Sequence, residues 1–394
     1  MTAVLLGGCA KASDPPPAVP HAPPPVAIRA EGQIITKDDA ASERELMERG
    51  EHALLLQKWR EAADAFETLV AAGRVSGEAP SSCAEHAATE LPTCHLSTLL
   101  YDLGLAYEGL GEHAKARDSY HELADRYPAS AEARIALERA AAIHAYLEEW
   151  DALGETAGKL LARADLDDVD RLTALGARGL AHIEAGDDTL AMRDVQNGLD
   201  LVDNLHYGAE NRLPVGAAQL RFALAEIRRA RSERISFVPV TSDFPLKIEM
   251  RCQGLLDAQN AYADAIRSVD PHWAAMSGSR IGEMYRNLHH DLMIIPPTEQ
   301  AKTDPQKQLF YAMMHLRYRA LLEKGLEMMK RTVALGVKLN DTSSWVKRAE
   351  AAQKEMELAL ADEQAILAKY PYTEEEIRKA LDILQKKAEA KRTH

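Results

Sequence analysis

One arrangement of large and small residues recurs through the first half of the 394-residue chain. It is clearest at Leu100, Leu103, Gly104, Tyr107, Gly111, Ala116, Tyr120 and Pro128. This spacing predicts two helices joined by a turn at Gly111, with Pro128 stopping the second. The same frame recurs over 43–76 (Gly50, Ala53, Trp59, Ala62, Phe66), over 134–165 (Ala141, His144, Trp150, Ala157, Leu160) and over 172–205 (Gly179, His182, Gly186, Ala191, Val195). A repeat constrains the fold more than composition does. Each unit has apolar residues on more than one face and cannot bury them alone, so neighbours must stack and share a continuous core.

These offsets resemble the 34-residue tetratricopeptide repeat. The resemblance implies an all-α solenoid of helical hairpins. Gly104 and Ala116 would sit where the two helices of a hairpin come closest, and Tyr107 and Tyr120 would fill the space between one hairpin and the next. In that family the first helix of each hairpin lines a groove. Its groove positions fall here on Met47, Glu51, Tyr101, Leu105, Glu108, Glu138, Tyr146, Leu180 and Glu184. Apolar anchors among carboxylates imply a protein or peptide partner carrying apolar and basic residues. Members that clamp a C-terminal carboxylate do so with Lys and Asn. Met47, Tyr101 and Glu138 stand at the matching positions, with Glu51 and Leu105 in place of Asn, so that clamp is not expected.

Composition agrees with helices. The apolar fraction is 46% but aromatics are only 5%, and alanine and leucine favour helix over sheet. Residues 1–203 hold 36 Asp and Glu against 18 Lys and Arg, and the remainder holds 25 against 29. An acidic front half argues against nucleic acid, which needs a basic footprint. The sequence contains no run of about 18 apolar residues of the kind that spans a membrane as a helix.

Leu6-Gly7-Gly8-Cys9 resembles the lipobox of bacterial lipoproteins, in which the cysteine becomes the lipidated first residue. Only eight residues precede Cys9 and none is basic, so a start further upstream is expected. Residues 15–25 hold seven of the 18 prolines, which gives an extended tether. Ala10 follows the cysteine where an aspartate often signals inner-membrane retention in that family, which points to the outer membrane, facing the periplasm. A cytoplasmic adaptor is the alternative if the LGGC match is accidental. Cys83 and Cys94 lie in an insertion over 77–96. They are read as a disulfide, as free thiols, or as a metal pair with His86 or His95, the last a poor zinc pattern. Cys252 falls in a helical pattern and is read as a small buried residue.

The chain thus divides into 1–42 (signal remnant and linker), 43–205 (repeat array) and 206–394 (a helical, repeat-like region). In the last, helices are expected from Pro214 to Arg234, Lys247 to Val269, His272 to Pro296, Asp304 to Leu335 and Thr342 to Lys369. Residues 235–241 read as an extended loop, and Thr373-Glu374-Glu375-Glu376 as a capping box before a charged helix. Asp270-Pro271-His272-Trp273, Arg280-Ile281-Gly282-Glu283-Met284-Tyr285, and Pro296-Pro297 before a long helix resemble the C-terminal region of large periplasmic tetratricopeptide proteins of gliding or predatory bacteria. That resemblance implies an envelope-complex subunit.

No spacing provides an active site. His121-Glu122-Leu123-Ala124-Asp125 lacks the second histidine of a zinc helix and is expected to face solvent. Asp165, Asp167, Asp168 and Asp170 lack the glycine and distal glutamate of a calcium loop and read as helix caps. His289, His290 and Asp291 point to different helix faces. Arg228, Arg229, Arg231 and Arg234 read as complementing a helix C-terminus, or as a dock for the acidic front half of a neighbour. The expectation is a non-catalytic protein-binding scaffold with no cofactor and no metal site. The alternative from another class is a cell-envelope hydrolase with its site in residues 206–394.

Overall fold

The computed structural model describes residues 37–75, 95–206, 215–267, 271–297, 301–339 and 343–392. Cys9, Cys83 and Cys94, and with them the expected lipidation and disulfide, lie outside those residues. The described residues form fourteen helices and no strands. The first eight are α1 Lys37–Leu55, α2 Trp59–Val75, α3 Leu96–Gly109, α4 His113–Arg126, α5 Ala131–Leu147, α6 Trp150–Leu161, α7 Asp168–Glu184 and α8 Asp188–Asn204. Then come α9 Val215–Glu233, α10 Phe244–Ile266, α11 Pro271–Met293, α12 Asp304–Leu339, α13 Ser344–Leu367 and α14 Glu374–Arg392.

Local chemistry sets the ends of these helices. Ser130 caps α5 by accepting from the Ala133 N–H at 3.2 Å. At the head of α7, Asp167 and Asp170 cap each other's backbone N–H, so the aspartate cluster does serve as helix caps. Thr373 and Glu376 do the same before α14. The turns inside the first four hairpins each place one residue in the left-handed region: Gln57 (φ 56°), Gly111 (72°), Glu148 (61°) and Gly186 (83°). Glycine adopts that conformation readily, and two of the four turns do without it.

The first twelve helices pair consecutively as antiparallel hairpins, and each hairpin leans on the next. The odd-numbered helices pack on one another from α3 through α13, while α2, α4, α6, α8, α10 and α12 each also pack on the helix that follows. The stack does not pause at residue 205, because α7 and α8 both pack on α9. At the far end α14 lies along α12. The loop after α9 is extended, as expected, and buries Phe237.

Inside a hairpin the two helices meet where a small residue faces a larger one. A methyl group on Gly50 would lie 2.8 Å from the Phe66 ring, and one on Gly179 would lie 2.9 Å from Val195. Gly104 stands against Tyr120 in the same way, so Tyr120 fills its own hairpin rather than the space between hairpins. Tyr107 does reach the previous hairpin, where its hydroxyl donates to Glu67 at 2.5 Å. Helix starts fix the register of the third repeat. Trp150 opens α6 as His113 opens α4, so Leu153 stands where Ala116 does, and Ala157 where Tyr120 does. Ala141, Trp150 and Ala157 stand 37 positions after Gly104, His113 and Tyr120, so this copy keeps its frame, and Leu160 is a further core residue. With Ala141 rather than glycine on α5, the smaller Ala157 fits opposite.

Two main cores result. One runs from Ala53 to Ile143, and the other from Ala141 to Val346. They meet on α5. Helix α9 is enclosed, with residues 216–220 and 222–227 all buried.

Candidate functional site

The residues expected to line a groove separate into two groups. Those on α1, α3 and the first half of α5 share an open face. Those nearer the middle of the stack do not.

On α3 a half-exposed stripe runs through Thr98, Tyr101, Asp102, Leu105 and Glu108. The spacing is helical, and the opposite face carries the buried Leu99, Leu100, Leu103 and Tyr107. Met47 on α1 is half-buried against the first core, and Glu51 beside it is exposed. From α5, Glu132 accepts the Thr98 hydroxyl at 3.0 Å. Arg139 donates to both oxygens of Glu108, at 3.2 and 3.0 Å, and its guanidinium carbon lies 5.9 Å from the centre of the Tyr101 ring. Glu108 also accepts the Tyr120 hydroxyl at 2.6 Å. Its two oxygens are therefore committed to tying α3 to α4 and α5.

Asp102 was not among the expected residues. It follows Tyr101 directly and lies on the same stripe. Burial, with Glu51 and Glu132 close by, pushes its carboxyl up to about 6. Among the described residues no cation is paired with it. Leu105 next to it keeps part of its side chain open. Along α5, Glu138 sits beside Asp170 and 3.8 Å from Arg134, whose guanidinium is bound to Asp170. Burial and then the Asp170 carboxylate raise the Glu138 carboxyl to about 8. This part of the molecule is acidic, with Tyr101, Leu105 and Met47 as apolar anchors.

The other expected residues face inward. Leu180 is fully buried in the second core. The Tyr146 ring sits between His113, 4.2 Å away, and His272, 5.0 Å away, tilted to both. Glu184 lies 3.8 Å from Arg280 of α11, and burial followed by Glu226 raises its carboxyl to about 7. Glu226 on α9 is wholly buried. Burial opposes its charge, but Arg280 and Arg229 hold its carboxyl below the ordinary value, and the Tyr262 hydroxyl donates to it at 2.5 Å. The inner side of the middle hairpins is thus filled by a paired polar column, because the stack curls tightly enough for α11 to reach α7. An open groove along the whole array was expected; the open face ends at α5.

The motifs set aside from the sequence are also placed. His121 does not face solvent: its Nε2 lies 2.7 Å from Nε2 of the buried His144, whose Nδ1 meets Glu149 at 2.7 Å. His289 lies 3.2 Å from Glu363, Asp291 pairs with Arg251 at 2.9 Å, and His290 is exposed, so the three do point apart. Arg234 grips Asp188 with two bonds, at 2.7 and 2.5 Å. Arg228 donates to the Asp257 carbonyl, and Arg229 holds Glu226 and Glu233. That basic cluster finds its acidic partners within the chain. Cys252 is half-buried, and burial raises its thiol. Among the described residues no three His, Cys, Asp or Glu side chains are grouped to hold a metal ion. No described helix is long and apolar enough to cross a membrane.

No family model matches the sequence, and no curated protein matches it. Among solved structures the fold is similar to a tetratricopeptide repeat protein from Parabacteroides merdae ATCC 43184, at 14% identity and a TM-score of 0.37, covering 79% of this chain and 99% of that one. It is also similar to the TPR2AB domain of yeast Sti1 in its complex with pHSP90, at 14% identity and a TM-score of 0.29, covering 66% and 98%. The helix order, the left-handed turns and the small-to-large contacts within hairpins make the fold an all-α solenoid of tetratricopeptide-type hairpins.

Proposed function

We propose that this chain is a non-catalytic scaffold that binds a basic, partly apolar protein segment on the open face of α1, α3 and α5. One observation carries the reading. Asp102 is a part-buried carboxylate, raised by burial and by Glu51 and Glu132, with no cation paired to it among the described residues. A lysine or arginine brought there by a partner would relieve that cost, while Tyr101, Leu105 and Met47 supply apolar contact. Further along the same face Glu108 already has its partners, so it shapes the surface rather than contacting the segment.

The address belongs to the same proposal. Leu6-Gly7-Gly8-Cys9 followed by the proline-rich 15–25 supports a lipid-anchored protein on the periplasmic side of the outer membrane, serving an envelope assembly. Labelling with an alkyne-tagged palmitate analogue, using the upstream reading frame, tests it. Label on the wild type and none on Cys9→Ala is expected; an unlabelled wild type removes the anchor from the proposal.

The binding reading is tested by photo-crosslinking in cells from position 101, followed by mass spectrometry. Captured proteins should present basic segments, and capture should be lost with Leu105→Glu or Asp102→Lys. A partner set unchanged by both substitutions means the open face is not the site.

A further inference from the structure

The turn between α5 and α6 reaches across the molecule to a helix far along the chain. Arg348 on α13 places both terminal nitrogens on the Glu148 carboxylate, with Nη1 at 3.2 Å from Oε2. The two residues are 200 positions apart. They belong to the third hairpin and to α13, the helix that follows the sixth. The same guanidinium lies 3.9 Å above the Trp345 ring, and Arg280 lies over that ring at 5.1 Å. Two residues before Glu148, at the end of α5, the Tyr146 ring meets His272 at the head of α11. The end of α5 is therefore joined to two helices with which it shares no hairpin interface.

This junction differs in kind from the contacts that build the stack. Successive hairpins meet through buried leucine, alanine and aromatic side chains. Here the link includes a carboxylate–guanidinium pair, with side chains 38% and 31% exposed, and a ring contact. Glu148 presents its carboxylate from a left-handed backbone at φ 61°, where two of the other three turns use glycine. A part-exposed ion pair is weakened by salt, whereas the apolar interfaces are not.

We propose that Glu148 and Arg348 form a releasable clasp that holds the superhelix closed. With the clasp made, the α5–α6 turn covers Trp345 and Arg348 from the inner side. With it broken, the third hairpin and α13 part while each hairpin keeps its own core. The curvature of the array then responds to ionic strength, or to any anionic group that competes with Glu148 for Arg348. The proposal does not depend on which segment binds the open face of α1, α3 and α5.

The test measures the distance between dyes carried on unnatural amino acids at positions 151 and 347, both exposed and on either side of the clasp. Raising salt from 0.05 to 0.5 M shortens the screening length to about 4 Å. The wild type should shift from one short distance to a mixture with a longer one. Arg348→Gln should show the longer population at low salt. The exchange Glu148→Arg with Arg348→Glu should restore the short distance and its salt dependence, which a merely misfolded variant would not do. A wild-type distance unchanged by salt overturns the clasp, whether or not Arg348→Gln folds. So does an Arg348→Gln protein that folds and keeps the short distance throughout.

Discussion

Gly104 lies against the ring of Tyr120 with no room for a single further carbon between them. The pair closes the second hairpin, since Tyr120 is fully buried and its hydroxyl is held by Glu108. Gly104→Ala should cost about 1–3 kcal/mol through overpacking, measured by urea denaturation. Adding Tyr120→Val, which shortens the facing side chain, should make the same alanine far cheaper. Equal costs in both backgrounds would mean the contact does not limit the packing.

Gln57 occupies the left-handed turn position where Gly111 and Gly186 stand in other hairpins. Its side chain is exposed. Gln57→Gly should stabilise by about 0.5–1 kcal/mol, because the left-handed strain outweighs the extra freedom glycine has when unfolded. Glu148→Gly, at the equivalent turn, should gain nothing or lose stability, because it also removes the partner of Arg348. Thermal unfolding of the two variants side by side gives the comparison.

Asp102 keeps its proton to about 6 in the folded chain, against 3.8 for an ordinary aspartate. A raised carboxyl costs stability as pH climbs between those two values, and the cost is complete above the upper one. Asp102→Asn should therefore stabilise by about 1 kcal/mol at pH 7, a figure reduced for its partial exposure. The advantage over wild type should grow from pH 4 to 6 and level off beyond. An advantage that shrinks as pH rises would refute the assignment.

The histidines act in the opposite sense. Burial, and for His121 the neighbouring His144, holds both rings below the ordinary 6.5. The unfolded chain then takes up protons first, so their contribution is complete above 6.5 and is lost as pH falls below it. Each unit of depression corresponds to about 1.4 kcal/mol. Stability of the wild type relative to a His121→Gln, His144→Gln double variant should decline from pH 6.5 towards 5.

Glu363 is 5% exposed and bridges His289 and His315, from α11 and α12, at 3.2 and 2.6 Å. Burial opposes its charge, yet the two rings hold its carboxyl down at about 2, against an ordinary 4.5. Its contribution is full above 4.5 and drains away as pH falls towards 2, a window clear of the histidine pair above. Glu363→Gln should cost about 2–3 kcal/mol at pH 7 and almost nothing at pH 2, read from denaturant midpoints.

What could be read from the residues follows the range of the contacts. The hairpins were legible because a glycine and its facing ring lie within one 34-residue unit, as with Gly50 and Phe66 or Gly104 and Tyr120. The third unit is the weaker copy, since Ala141 and Ala157 offer neither glycine nor ring to mark it. Tyr101, Leu105 and Met47 keep part of their surface open, because solvent exposure on α1 and α3 depends only on the nearest hairpins. The surroundings of Leu180, Tyr146 and Glu184 come instead from α9, α11 and the tightness of the coil. No periodicity records that quantity. Asp102 stands at no groove position of the repeat; its place on one helical stripe with Tyr101 and Leu105 is the signal that points to it.

The salt link from the third hairpin to α13 has a bearing on how such a gene can change. Arrays of this kind ordinarily lengthen or shorten by whole units, since each touches only its neighbours. Here a duplication or loss anywhere between α6 and α12 would carry Arg348 away from Glu148 by a full repeat. The number of units in that interval is counted by the molecule itself.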